Sequence, residues 1–133
     1  MHPNATIVDA FYEAYNAHDA EAATALYAST GWHEEVAFGR KRQGREDLAA
    51  GLVGLFQMIP DVEWRERERV VSKDSIVVLY AMSAHIKPRS TSPDAPAREV
   101  ELSGVHIFEL GPDGISGTRD YWDVADFKRQ AAG

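Results

Sequence analysis

Apolar residues recur at helical spacing along most of the chain up to Ile59 and at every second position from Val62 onward, with Pro60 at the change. A helix buries a stripe with a period near 3.6, whereas a strand buries alternate residues. Helices first and a run of strands afterwards predict an α+β domain with a mostly antiparallel sheet. Ile7, Phe11 and Tyr15 give one apolar face over Thr6–Ala17, and Asp19 suits the N-cap of a second helix ending at Gly31. Trp32–Phe38 reads as a short strand. Gly44 then opens a third helix carrying Leu48, Leu52, Leu55 and Phe56, and Pro60 stops it. Strands follow over Val62–Val71, Ser75–Ile86, Arg98–Leu110 and Ile115–Asp123, with a last helix at Val124–Gln130.

Within that frame, 133 residues suffice for one core and not two, so residues 1–133 are read as a single domain. Cysteine is absent, which rules out disulfides, thiolate chemistry and cysteine-based zinc sites. The net charge of -7 argues against general affinity for nucleic acid. The basic cluster Arg40-Lys41-Arg42, between Gly39 and Gly44, is read as a solvated loop. No apolar run approaches a membrane span, and no leader pattern is visible, so a cytoplasmic protein is expected.

Two stretches of the strand-rich half point toward a site. Ser75–Ile86 is apolar on both faces. Its face of Ile76, Val78, Tyr80 and Met82 exceeds what helices on one side could cover, which predicts a homodimer. Beside His85, the small residues Ala81 and Ser83 leave room for a ligand, making Ser83 and His85 candidate polar groups of a pocket. Tyr15, Trp32, Phe56 and Trp122 are candidate walls or core. Lys87–Ala97, with three prolines, reads as a long loop able to cover the pocket.

The hairpin Gly111-Pro112-Asp113-Gly114 carries the most information. Read as a three-residue loop with a glycine bulge, it pairs Gly111 with Ile115 and sets His106 directly opposite Asp120. A two-residue loop would set Arg119 there instead. Opposed residues share a face, here a mainly apolar one, where a carboxylate needs a hydrogen-bonding partner. On the residues alone, His106 and Asp120 serve either as an acid–base pair or as a structural bridge.

The order of elements, together with Phe11–Asp19, Gly44-Arg45-Glu46, Gly104-Val105-His106 and Arg119–Asp123, resembles the nuclear transport factor two-like superfamily over nearly the whole chain. It is most similar to the SnoaL-like polyketide cyclases. That resemblance implies a cone-shaped curved sheet wrapped around the N-terminal helices with one interior pocket. It also implies cofactor-independent ring closure on a carbonyl-bearing small molecule, with Asp120 as acid–base and His106 beside it. Those cyclases carry a polar residue where this chain has Gly104. The Arg119-Asp120-Tyr121 tail is also similar to limonene epoxide hydrolases, but the Arg and Asp of their central strand are replaced here by Ala81 and Ser83. Ketosteroid isomerases place an acidic base on the first strand, which implies a role for Glu35, or Glu34. The five histidines show no metal-ligand spacing, so neither metal nor cofactor is expected. A ligand-binding or dimerisation module on the same fold stands as the alternative.

Overall fold

The computed structural model describes residues 5–87, 94 and 96–132. The elements run α1 (Ala5–Asn16), α2 (Ala20–Ala25), β1 (Tyr27–Glu35), a 3-10 turn (Val36–Phe38), β2 (Arg40–Gln43), α3 (Arg45–Met58), β3 (Glu63–Val71), β4 (Ser75–Ile86), β5 (Arg98–Gly111), β6 (Gly114–Trp122) and α4 (Val124–Ala132). Six strands form one sheet in the order β2-β1-β6-β5-β4-β3. Every neighbouring pair is antiparallel except β1 with β6, so the sheet is mixed and the expected α+β class stands.

The core lies between α1 and the inner face of β4, β5 and β6, where Val8, Phe11, Ile76, Val78, Val100, Phe108 and Ile115 are fully buried. Two residues beyond α1, His18 takes a left-handed φ of 55°, and its N–H and that of Asp19 donate back to the carbonyls of Tyr15 and Ala14. Asn16 then meets β3 as another strand would. It accepts from Trp64 N at 2.8 Å and donates to Trp64 O at 2.9 Å. Arg45 donates from Nε and Nη2 to the Tyr27 carbonyl at 3.0 and 2.7 Å, tying α3 to the start of β1.

Four local expectations are corrected. The second helix ends at Ala25, and Tyr27 through Gly31 already belong to β1, because parallel pairing with β6 begins at Tyr27. Arg40-Lys41-Arg42 is not a loop but most of the edge strand β2, whose charges suit an unpaired edge. The sequence of β3 alternates strictly, which predicts Arg65, Arg67 and Arg69 on one side and Glu66 and Glu68 on the other, but a bulge between Glu66 and Glu68 breaks that order and Arg69 pairs with Glu66 and Asp9. The face Ile76, Val78, Tyr80, Met82 is the core face of β4, between 0% and 9% exposed. The face left half-covered is its opposite, Val77 and Leu79 beside Val105 and Ile107. Most of the expected loop at Lys87–Ala97 lies outside the described residues.

Candidate functional site

His106 and Asp120 are Cα partners across β5 and β6, as the hairpin count required, although the count itself needed repair. The turn holds two residues, Pro112 and Asp113, with Gly111 paired to Gly114 and Leu110 to Ile115. Gly114 takes a φ of 114°, open to glycine. Ser116 is then passed over as a bulge, its hydroxyl donating to Glu109 O at 3.0 Å, and Glu109 pairs with Gly117. The bulge restores the residue that the shorter turn removes.

Both side chains point to the inner face. His106 is 1% exposed, packed edge-on to Phe11 and Phe108. Its Nδ1 lies 2.6 Å from the Tyr12 hydroxyl and its Nε2 lies 3.3 Å from Asp120 Oδ2. The ring nitrogens thus stand between the Tyr12 hydroxyl and the Asp120 carboxylate. Tyr80 donates to Asp120 Oδ1 at 2.6 Å. Burial pushes the Asp120 carboxyl up. The charge and contact of His106, the Tyr80 hydrogen bond and the charge of His33 outweigh it and hold Asp120 below the ordinary carboxylate value. Burial first, and then the Asp120 charge, raise Tyr12 and Tyr80, so both remain neutral donors.

A second polar chain runs alongside. Because β1 is parallel to β6, His33 stands level with Thr118 and Glu35 with Asp120. Thr118 Oγ1 lies 2.6 Å from Tyr27 Oη and 2.7 Å from His33 Nδ1. His33 Nε2 is 3.4 Å from Glu35, which accepts from the indole N–H of Trp122. Phe38 and Phe127 meet Trp122 edge-on.

Asp120, His106, Glu35 and Trp122 therefore come together. The other candidates do not join them. Trp32 lies on the outer face over Gly117, with Lys41 and Arg119 against its ring at 4.4 and 4.9 Å, because residues 32 and 33 of a strand point oppositely. Tyr15 is core, 4.0 Å from Phe11 between ring centroids and 4.9 Å from Trp64, and touches the group only through its ring, edge-on to His106 at 6.3 Å. Phe56 stacks on His18. Ser83 and His85 line a separate open cleft of about 390 Å³ with Asn16, Asp61 and Glu99, where His85 pairs with Asp61 at 2.6 Å. A larger groove of about 920 Å³ runs past Leu79, Tyr80, Gly104, Val105, Tyr121 and Trp122. Asp120 lines neither.

The sequence alone does not single out Tyr12, Tyr80, His33 and Thr118 as site residues. Tyr80 has a signal in hindsight, since it faces Gly104 across β4 and β5. Counting that register requires the length of the turn between the two strands, which the proline-rich segment obscures. Among the described residues no group of three or more metal-binding side chains is arranged to hold an ion. No described helix is long and apolar enough to cross a membrane.

A family model for the SnoaL-like domain matches residues 8–115. No curated protein matches the sequence. Several solved structures share the fold. A protein of ketosteroid isomerase-like fold from Catenulispora acidiphila, in complex with trimethylamine, is 20% identical with a TM-score of 0.82, over 94% of this chain and 91% of that one. A Xanthomonas campestris protein proposed to be a polyketide cyclase is 22% identical with a TM-score of 0.78, over 96% of each chain. A phenazine biosynthesis-related protein from Pseudomonas aeruginosa is 20% identical with a TM-score of 0.78, over 97% of this chain and 84% of that one.

Proposed function

The chain belongs to the SnoaL-like domain family, and from that premise we propose that it is a cofactor-independent enzyme acting on an apolar, carbonyl-bearing small molecule by acid–base chemistry at Asp120. The observation that carries this reading is the buried Asp120 carboxylate facing His106 Nε2 on the inner face of the sheet. A carboxylate held ionised in such surroundings can take a proton from the carbon beside a carbonyl, leaving an enolate. In an aldol-type closure the enolate carbon attacks a second carbonyl of the same molecule, and the proton passes from Asp120 to the new alkoxide. In a related isomerisation it returns to another carbon. His106, backed by Tyr12, orients the carboxylate, while Trp122 and Glu35 stand toward the bound molecule.

Asp120→Asn tests the reading. The amide is nearly isosteric but cannot shuttle a proton, so turnover of an activated-methylene ketone or polyketide ester that the parent converts should fall by about 10²–10⁴-fold. Full turnover in a variant that melts well below the parent would reduce Asp120 to a strut of the sheet. A second reading, ligand binding without turnover, is favoured by one fact: both Asp120 oxygens already have partners within the fold. The half-covered outer face of Val77, Leu79, Val105 and Ile107 supports a homodimer formed by a second copy on that face. Sedimentation equilibrium at micromolar concentration checks it, and a monomer would sink it. The cysteine-free composition fits a reducing compartment, and the cytoplasm is the proposed location.

A further inference from the structure

We propose that Tyr80 is the positioning residue of Asp120: its hydroxyl pins Oδ1 and leaves Oδ2 as the oxygen that exchanges protons with a bound molecule. The proposal rests on the acid–base reading above and adds a residue and an atom to it.

The seat of Tyr80 is the absence of a side chain opposite. Tyr80 and Gly104 are Cα partners, and the ring lies across the glycine. A Cβ at residue 104 would stand 2.2 Å from the Tyr80 hydroxyl oxygen and 2.3 Å from Cζ, closer than any real contact. Only glycine lets the phenol reach β6 over β5. At 3% exposure, solvent has little access to compete for the hydroxyl. The ring is confined on its other side by His106, 4.7 Å away between centroids and 35° from parallel.

The two oxygens of Asp120 are consequently unlike. Oδ1 receives a 2.6 Å O–H···O bond, in the range of a charge-assisted contact. Oδ2 has His106 Nε2 at 3.3 Å, a longer and looser approach. The less committed oxygen is the better proton acceptor, and the pinned one fixes the direction in which it faces. Other ionisable groups act on the carboxylate from the elements packed around it. His33 acts on it from β1, and Tyr12 and Tyr15 on α1 and Tyr27 on β1 feel its charge, but none of these has a hydrogen bond to Asp120.

Tyr80→Phe keeps the ring and removes only the hydroxyl. The expected results are a shift of the Asp120 side-chain carboxyl titration to higher pH, followed by carbon-detected NMR, and an equal shift in the acid limb of the pH–rate profile. At neutral pH, the downfield hydroxyl proton of Tyr80 should be visible in the parent and displaced in Asp120→Asn. Gly104→Ala retains the phenol but evicts it from its seat, so it should reproduce the titration shift, and the double variant should add nothing further. If Gly104→Ala does not fold, Tyr80→Phe decides alone. An Asp120 titration unchanged by Tyr80→Phe overturns the proposal. If the shift appears but Asp120→Asn retains turnover, the pin stands and the acid–base reading falls.

Discussion

Among the described residues, two histidine–aspartate pairs have opposite characters. His85 and Asp61 meet at 2.6 Å with side chains 57% and 48% exposed, whereas His106 and Asp120 stand 3.3 Å apart and are 1% and 12% exposed. By distance the first pair is the stronger. By environment it is the weaker, because water and salt screen it and two free side chains must be immobilised to make it. The buried pair cannot exchange its partner for water, so removing either member leaves a polar group unsatisfied. Separation is therefore a poor guide to consequence, and burial with a closed set of partners is a better one.

That contrast can be broken most directly at His106. His106→Phe fills a similar volume but leaves the Tyr12 hydroxyl and the Asp120 carboxylate without their ring nitrogens. A loss of about 2–4 kcal/mol in unfolding free energy is expected by denaturant titration. A loss below about 1 kcal/mol would mean that the pair is little different from a surface contact.

Acid sharpens the comparison. Asp120 lies below its ordinary value in the folded state, so the stability it contributes is present above the unfolded value and is lost as pH falls through the folded one. Asp120→Asn should therefore flatten the fall in thermal midpoint between about pH 5 and pH 2. Asp61 is also lowered, first by the His85 backbone N–H and then by its ring. Its exposure screens the effect, so Asp61→Asn should leave the acid limb close to that of the parent. Equal flattening by both variants would erase the distinction.

The smallest effect belongs to the exposed pair itself. His85→Ala is expected to change stability by less than about 1 kcal/mol and to weaken further in high salt. A larger loss would assign the cleft around Asp61, Glu63 and Ser83 a structural role that its geometry does not suggest.

The legibility of these two regions from sequence differs for a related reason. The His106–Asp120 pairing was readable because a tight turn converts residue counting into register. The turn is one residue shorter than its residue types suggest, and the bulge at Ser116 restores the register. Bulges are local and leave little trace in composition, so the agreement owed something to compensation. Tyr80 and His33 were out of reach. Tyr80 enters through a strand pair joined by a long proline-rich connection, and His33 through a parallel pairing between segments about 85 residues apart.

The amino-acid sequence by itself determined the α+β class, the order of the longer helices and strands, and one hairpin, since each follows from the period of burial or from turn chemistry acting over a few residues. Which face of β4 becomes core was decided only in three dimensions. Its middle is apolar on both faces, and the polar Ser83 and His85 mark the outer face only at its end, so the burial of Ile76, Val78 and Tyr80 follows from the packing of the core. The edge position of Arg40–Gln43 and the convergence of Tyr12, Tyr80 and His33 around Asp120 were settled in the same way. Each depends on contacts between distant segments, whose free energy comes from assembling the whole sheet and is written in no single stretch of it.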